Sequence, residues 1–283
     1  MIGNKNIADN AWIMPHKLAG SYCGEIFWVA NKDSNEYEFL RTKVKSGNLF
    51  PAESTNSATA INAAVAACVS GRGDQILIAG KSIITTAIVI TSKENIWIRG
   101  IPNSDTPHGC QSRIANSSCN IFELTNSQKI TIDGIRMTVT GAYSGITLAG
   151  GNGCFQAVIR DLAFQLNGAS AKGISSSVAN AAQAGTFENL YFRGYAVAKS
   201  SHGIHLSNTS TGNLFRDCYF YGLDNGIVAT DSAHDIFDHV NTIDCTASLA
   251  ITGATSSVIY SYGDVAATGT AKGITTGGWT TIT

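Results

Sequence analysis

Three aspartates at related places in the sequence could supply the paired carboxylates that cleave glycosidic bonds. Asp161, Asp217 and Asp238 each follow a large apolar residue by one or two positions. Glycoside hydrolases hold two carboxyl groups ~5–9 Å apart on either side of the scissile bond. Aspartates at turns also cap backbone amides and form ion pairs, and we favour this structural role for all three.

His202 is a further candidate for acid–base chemistry, in the string Ser201-His202-Gly203-Ile204-His205. A turn histidine followed by a strand is the simpler interpretation. A looser acid and histidine group comprises Ser232, His234, Asp235, His239 and Asp244. Neither a nucleophile elbow nor zinc-ligand spacing accompanies it. The sequence therefore predicts no catalytic set, no metal and no cofactor, although it leaves open a polysaccharide lyase or glycoside hydrolase.

Aromatic residues supply two candidate contact surfaces. The tyrosines Tyr191, Tyr195, Tyr219 and Tyr221 would form an outward stripe if their segments stack. Such a stripe can support sugar rings or form a subunit interface, where tyrosine is enriched, and we favour the interface. The second set is N-terminal, and its large apolar residues are candidate anchors to a partner. Its members are Trp12, Met14, Phe27 and Trp28.

The composition excludes several function classes. Of the 283 residues, 44% are hydrophobic but only 14% are charged, and 19 basic residues balance 20 acidic ones. A nucleic-acid partner usually requires a basic excess, and a membrane span requires about 18 consecutive apolar residues. Neither is present. The first residues lack the pattern of a secretory signal. The seven cysteines are irregularly spaced, so we expect free, mostly buried thiols in a reducing cytosol.

The N-terminal 50 residues differ from the rest. Residues 1–22 resemble an extended arm, and residues 25–30 and 36–41 predict two strands of a hairpin. The segment Ala58–Val69 predicts a helix, with Ser57 as its N-cap. Short strands follow from residue 75 onward.

Two short elements alternate along the remainder of the chain. The first is an apolar–polar–turn–apolar pattern, as in Phe187-Glu188-Asn189-Leu190, and its copies begin at Ile98, Ile132, Ile159, Phe187, Phe215 and Phe237. The second is Gly followed by Ile, as at Gly145, Gly173, Gly203, Gly226 and Gly273. Parallel β-strands stack ~4.8 Å apart, so equivalent residues of successive coils should lie directly over one another.

The repeat makes specific predictions about charge and turns. The residue after the first apolar position alternates in sign from coil to coil, in the order Asp133, Arg160, Glu188, Arg216 and Asp238. The next residue is of a type that tolerates a left-handed corner, in the order Gly134, Asp161, Asn189, Asp217 and His239. We therefore predict an all-β fold, a single-stranded right-handed parallel β-helix (a solenoid). An N-terminal capping helix and a small arm or hairpin would complete it.

The chain resembles the pectate-lyase-like superfamily of right-handed β-helices, and particularly the short β-helix proteins of tailed-phage virions. The resemblance covers about residues 57–262 and rests on the helix Ala58–Val69, the string GDQILIAG at 73–80 and the NIWIRG coil. The superfamily's galacturonase-type signatures, paired Asp motifs, Gly-His-Gly and Arg-x-Lys, are not reproduced around His202. The resemblance implies a fold more than an activity.

Three functions compete at this stage. The first is a trimeric capsid decoration (cement) protein, in which residues 1–50 grip the shell and residues 51–283 form the β-helix and a Thr/Gly-rich tail. Its partners would be copies of itself and the major capsid protein or another virion protein. The second is a tailspike or receptor-binding protein that binds or depolymerises a host surface polysaccharide. A secreted carbohydrate-active enzyme is the third. We favour the first, made in the host cytoplasm without a signal peptide and located in the virion.

Overall fold

The computed structural model describes residues 24–101, 112–150, 153–176, 178, 181–195, 200–206, 211–231, 233–261, 265–275 and 278–282. Side chains are described up to residue 250, except 247 and 248. Within these residues the helices are α1 (Asn35–Arg41) and α2 (Ala58–Ala67). The strands are β1 (Ile26–Asn31), β2 (Leu49–Ala52), β3 (Gln75–Ala79), β4 (Lys81–Ile84), β5 (Ile88–Thr91), β6 (Trp97–Gly100), β7 (Ser112–Asn116), β8 (Phe122–Thr125), β9 (Thr131–Asp133), β10 (Ile135–Val139), β11 (Ser144–Ala149), β12 (Cys154–Phe155), β13 (Val158–Leu166), β14 (Lys172–Ser176), β15 (Ala182–Gln183), β16 (Thr186–Gly194), β17 (His202–Leu206), β18 (Leu214–Tyr221), β19 (Asn225–Thr230), β20 (Ile236–Ile243), β21 (Ala247–Ser261), β22 (Val265–Thr275) and β23 (Gly278–Ile282).

Most of the strands form three parallel sheets that run along one axis, which confirms the predicted parallel β-helix. In addition, β2 pairs with β1, and β12 and β15 form a separate short parallel pair. The first sheet contains β1, β3, β6 and β9 and continues into the first halves of β13, β16, β18 and β20. The second contains β4, β7 and β10 and continues into the second halves of those same four strands. The third contains β5, β8, β11, β14, β17, β19 and the start of β21. The final pair, β22 and β23, is antiparallel.

The core consists of apolar columns that run through successive coils. Phe164, Phe192 and Phe220 stack with ring centroids 4.6 and 4.8 Å apart. A second column joins Phe187, Phe215 and Phe237 at 4.8 and 4.9 Å. All these rings are buried. Each stacked pair adds about 0.5–1.5 kcal/mol beyond the burial of its area, so the columns favour a single register of the coils.

The alternating charges lie in one column, as predicted, which we call the charge ladder. Strand register aligns Asp133 with Arg160, Arg160 with Glu188, Glu188 with Arg216 and Arg216 with Asp238. Oppositely charged atoms approach to 3.4 Å between Arg160 and Asp133 and 3.3 Å between Arg216 and Asp238. A slip of one coil would place like charges together, so the ladder reinforces the register.

The capping helix is confirmed, with a shorter span than predicted. α2 packs on β1, β2 and β5 at the N-terminal end of the solenoid and buries Ile61 and Val65. The helix ends at Ala67 because Cys68 adopts an extended conformation. As a result, Cys68 is buried while Val69 is 51% exposed.

The predicted hairpin in the N-terminal region is wrong. Residues 36–41 lie in helix α1, not in a strand, and β1 pairs in parallel with β2 and β3. The helix forms because the Ser34 hydroxyl accepts a hydrogen bond from the N–H of Tyr37, and acidic residues occupy the first turn. Leu40 is the side chain of α1 that becomes buried. The strand β1 is therefore part of the first sheet of the solenoid.

Asp74 gives a physical reason for the Gly-Asp start of the first coil, GDQILIAG. Its carboxylate is buried, accepts hydrogen bonds from the N–H groups of Glu25 and Val69, and pairs with Arg72 at 2.6 Å. Burial opposes ionisation of this carboxyl, but Arg72 and the two N–H groups outweigh it and lower its pKa. Asp74 thus joins the end of the capping helix to the first rung of the sheet.

Candidate functional site

The corner between the first and second sheets carries a column of polar side chains, as the sequence predicted. Asp161, Asn189, Asp217 and His239 all have left-handed backbones, with φ of 53°, 51°, 52° and 53°. Asn189 donates from Nδ2 to Asp161 Oδ1 at 2.7 Å, and His239 Nδ1 lies 4.0 Å from Asp217 Oδ1. Because this conformation recurs once per coil, it lines up hydrogen-bonding groups along the axis.

Two stacked tyrosines stand beside this corner. Tyr191 and Tyr219 are aligned by strand register, with ring centroids 5.2 Å apart and planes inclined by 7°. A surface cavity of about 310 Å³ lies between the tyrosines and the corner. Its lining residues are Asp161, Leu162, Asn189, Leu190, Tyr191, Asp217 and Tyr219. The cavity therefore offers a flat aromatic wall on one side and carboxylate and amide groups on the other.

The other two tyrosines of the predicted stripe surround an arginine. The Arg193 guanidinium lies 4.7 Å from the ring centroid of Tyr195 and 5.6 Å from that of Tyr221. Tyr221 is aligned with Arg193, in the column next to Tyr191 and Tyr219. Tyr191 and Tyr219 thus share one column, Tyr221 lies in the next, and Tyr195 lies just beyond the end of β16, so the four do not form one stripe. Burial raises the pKa of Tyr191, so its hydroxyl remains a hydrogen-bond donor at neutral pH.

The structure brings together only some of the candidate catalytic residues. Asp161 and Asp217 belong to the same corner column two coils apart, a backbone separation of ~9.6 Å. Both carboxylates line the cavity, and their side chains are 52% and 56% exposed. Asp238 belongs to the neighbouring charge ladder, where it contacts Arg216 and His239.

His202 lies elsewhere, on β17 in the third sheet. Its Nδ1 is 3.2 Å from Asn225 Nδ2 and 3.9 Å from Asp224 Oδ2. Burial lowers its pKa and also lowers that of His205 to about 4, so both imidazoles are neutral at pH 7. Asp235, from the looser group, is buried and accepts hydrogen bonds from Asn213. Within the described residues no three acidic, histidine or cysteine side chains could together hold a metal ion.

The N-terminal anchor residues divide into two pairs. Trp12 and Met14 lie outside the described residues. Phe27 and Trp28 are 3% and 4% exposed, within the main core and a smaller cluster beside α1 respectively. Their prediction as surface anchors is wrong for this structure, because alternation along β1 turns one toward the solenoid core and the other toward α1.

Sequence reasoning missed two residues of the site. Asn189 lies between the two aspartates in the corner column and donates to Asp161, and its corner position in the repeat was the available signal. Arg193 lies two residues after Tyr191 on the same strand, so alternation places both on the same face. Both residues extend the site beyond the tyrosines and aspartates.

No protein-family model matches the chain, and no curated protein matches it. Among solved structures, it is similar to the mannuronan C-5 epimerase AlgE4 A-module of Azotobacter vinelandii, with 10% identity, 79% of this chain and 75% of that chain covered, and a TM-score of 0.38. It is also similar to the Dettilon tailspike protein gp208, with 11% identity, coverage of 83% and 62%, and a TM-score of 0.23. Bacteriophage CBA120 tailspike protein 3 shares 14% identity, with coverage of 99% and 66% and a TM-score of 0.20. These similarities concern the fold alone. No helix among the described residues is long and apolar enough to cross a membrane.

Proposed function

We propose that the protein binds a polysaccharide along the second sheet, as a tailspike-type or receptor-binding protein does with a host surface glycan. The observation that carries this proposal is the cavity between the stacked pair Tyr191 and Tyr219 and the polar corner. Sugar rings have an apolar face of C–H groups that suits an aromatic wall. Their hydroxyl groups donate to carboxylates such as those of Asp161 and Asp217.

Binding fits this site better than cleavage. A glycosidase needs a carboxyl group kept protonated in apolar surroundings, together with a second carboxylate. Asp161 and Asp217 are each more than half exposed, and Asn189 already donates a hydrogen bond to Asp161. Exposed carboxylates of this kind are suited to hydrogen bonds with sugar hydroxyls. A role of Asp161 and Asp217 in depolymerisation stays a prediction, tested below.

A capsid decoration role has less support than glycan binding. Of its four named anchors, Phe27 and Trp28 are buried and unable to reach a shell without unfolding β1. Location on a virion and assembly into a trimer remain part of our proposal for a receptor-binding protein, and neither depends on those anchors.

The test is a binding measurement with purified bacterial surface polysaccharides arrayed on a slide, followed by titration of those retained. We expect Tyr191→Ala and Tyr219→Ala each to weaken binding about five- to tenfold, because each removes ~1 kcal/mol of ring contact. Tyr143→Ala is the matched control, because Tyr143 is also exposed but lies outside the site. Equal binding by the Tyr191, Tyr219 and Tyr143 variants would refute the proposed site.

A reducing-sugar assay on the retained polysaccharides separates binding from depolymerisation. We expect no turnover by the native chain. Turnover that disappears in both Asp161→Asn and Asp217→Asn would identify the corner as a hydrolytic site and would replace the binding proposal by an enzymatic one. Turnover that survives both substitutions would place the chemistry away from this cavity.

A further inference from the structure

Three cations lie directly over one another on the second sheet. Register pairs Lys81 with Arg113 and Arg113 with Arg136, at one residue per coil. We call this set the cation column. The same column continues through Ala163 to Tyr191 and Tyr219, the stacked pair of the proposed glycan site. A single track along the axis therefore has cations at one end and aromatic rings at the other.

The positive charges of the cation column are not paired with carboxylates, whereas those of the charge ladder are. In the ladder, each arginine faces carboxylates within 4.0 Å, as Arg216 faces Glu188 and Asp238. In the cation column, Arg113 donates from Nε to the Thr138 hydroxyl at 3.3 Å, and Arg136 donates to the Gln165 side-chain oxygen at 2.9 Å. These partners are neutral.

Among the described residues, none of the three cations forms an ion pair with a carboxylate. The Glu36 carboxylate lies beside Gly80, at the outer end of the column, so the uncompensated charge is concentrated on Arg113 and Arg136. Like charges placed directly opposite on neighbouring strands destabilise a sheet. The same chain pairs opposite charges in the ladder, across the corner on the first sheet, so this arrangement is not imposed by the fold.

We propose that the cation column binds the anionic groups of an acidic polysaccharide whose sugar rings continue onto Tyr191 and Tyr219. This inference rests on the proposed function and names the class of glycan. A guanidinium presents a planar fork of N–H donors that matches a carboxylate or a sulfate. Both arginines are partly buried, which strengthens their attraction for an anion because less water screens the charge.

The spacing suits a linear polymer. Successive cations are one coil apart, ~4.8 Å, and Arg136 is two coils, ~9.6 Å, from Tyr191. Ala163 lies between them and has no side chain large enough to block the path. A chain lying parallel to the solenoid axis can therefore contact Arg113, Arg136 and the tyrosines at once.

The test compares polymers that differ only in charge. Polygalacturonate is measured against its fully methyl-esterified form, and dextran sulfate against dextran, in 20 mM and 1 M NaCl. We expect the native chain to bind at least one acidic polymer about tenfold more tightly than its neutral counterpart at low salt. This preference should disappear at 1 M salt, where charges are screened within ~3 Å. The pair that shows it distinguishes carboxylate from sulfate.

The variants identify the residues responsible. The double substitution Arg113→Gln and Arg136→Gln should abolish the preference for the acidic polymer, whereas Arg216→Gln, in the compensated ladder, should retain it. Equal affinity for acidic and neutral polymers, or a preference that survives the double substitution, would overturn the inference. Tyrosine-dependent binding without charge preference would leave the proposed function standing and remove only this step. Binding of neither class would remove both.

A ligand-free measurement tests the same column independently. Because Arg113 is stacked between two other cations, Arg113→Gln should raise the midpoint of thermal unfolding by about 2 °C at low salt. Arg216→Gln, which loses two carboxylate contacts, should lower it. A lower midpoint for Arg113→Gln would show that its charge is compensated, and the inference would fail.

Discussion

Replacing Gly173 by Ala should destabilise the solenoid strongly, because the space beside this glycine is already filled. A Cβ atom there would lie 2.2 Å from Cε1 of Phe192 and 2.6 Å from the carbonyl oxygen of Gly203. The ring belongs to the stack of Phe164, Phe192 and Phe220, and the carbonyl belongs to the next strand. Both neighbours are held by the coils around them, so we place the loss at the upper end of overpacking, about 3 kcal/mol.

Equilibrium unfolding in urea, followed by circular dichroism, measures this loss. Gly212→Ala is the control: Gly212 has no atom within 4 Å of its added Cβ but has φ of +67°. It should lose only about 1 kcal/mol, from backbone strain. A double-mutant cycle combines Gly173→Ala with Phe192→Leu. The leucine lacks the ring carbon that would clash with the added methyl, but the contact with the Gly203 carbonyl remains. The double variant should therefore be about 1 kcal/mol more stable than the sum of the single losses.

Two results would refute this reasoning. If Gly173→Ala is no more destabilising than Gly212→Ala, the close approach to Phe192 does not exist in solution. If the losses of Gly173→Ala and Phe192→Leu simply add, the ring is not the group that excludes a methyl at this position. Either outcome would remove the physical explanation for the recurrent Gly-Ile element.

Three further predictions concern buried groups. Asp133→Ala should destabilise the fold by about 2–3 kcal/mol in urea unfolding. It removes the buried carboxylate that pairs with Arg99 and Arg160, but both guanidinium groups are more than a third exposed and can be hydrated. A loss below ~1 kcal/mol would contradict this. The pKa of His205 is lowered to about 4 by burial, so the unfolded chain binds the proton first and stability should fall as pH drops from ~6.5 towards 4. Since His205 is only partly buried, we expect the free energy of unfolding to fall by about 1–2 kcal/mol over this range. The loss should be absent in His205→Asn, and parallel pH profiles for the native chain and this variant would refute the prediction. Burial raises the pKa of the Cys218 thiol, so this thiol should resist Ellman's reagent at pH 8 until the chain unfolds. Detection of labelled Cys218 in the native protein by mass spectrometry would show that the coil opens.

The architecture could be predicted from the sequence because residues that contact one another in a solenoid occupy equivalent positions of a sequence repeat. Asp133 and Arg160 are 27 residues apart in the chain, yet their alignment could be inferred because each follows the first apolar residue of a copy of the repeat. The left-handed corner followed from the same comparison, because Asn189 and Asp217 occupy equivalent places. Local elements outside the repeat had no such check. The string EYEFLR fits both strand alternation and helical spacing, and only the Ser34 cap distinguishes them.

The candidate site was predicted in part for the same reason. Tyr191 and Tyr219 each directly follow a copy of the apolar–polar–turn–apolar pattern, so strand alternation predicted that both point outward. Arg113 lies in β7, whose sequence SRIAN does not show the apolar–polar–turn–apolar pattern of the repeat. Its alignment with Arg136 therefore became visible only from the strand register. On the second sheet the recognisable repeat begins at β10, one coil after the β7 strand that carries Arg113. The sequence repeat therefore could not predict the cation column.

A parallel β-helix suits recognition of linear polymers because each outward column repeats one contact along one direction. The ladder from Asp133 to Asp238 shows that this chain can alternate the sign of charge along a column. The cation column, across the corner from the ladder, instead places Arg113 and Arg136 together and continues to the paired tyrosines. Since strand register stacks the Tyr191 and Tyr219 rings in parallel, little further side-chain ordering opposes binding. What remains uncompensated is positive charge at a fixed distance from a flat aromatic surface, and an acidic polysaccharide carries a complement to each on one chain.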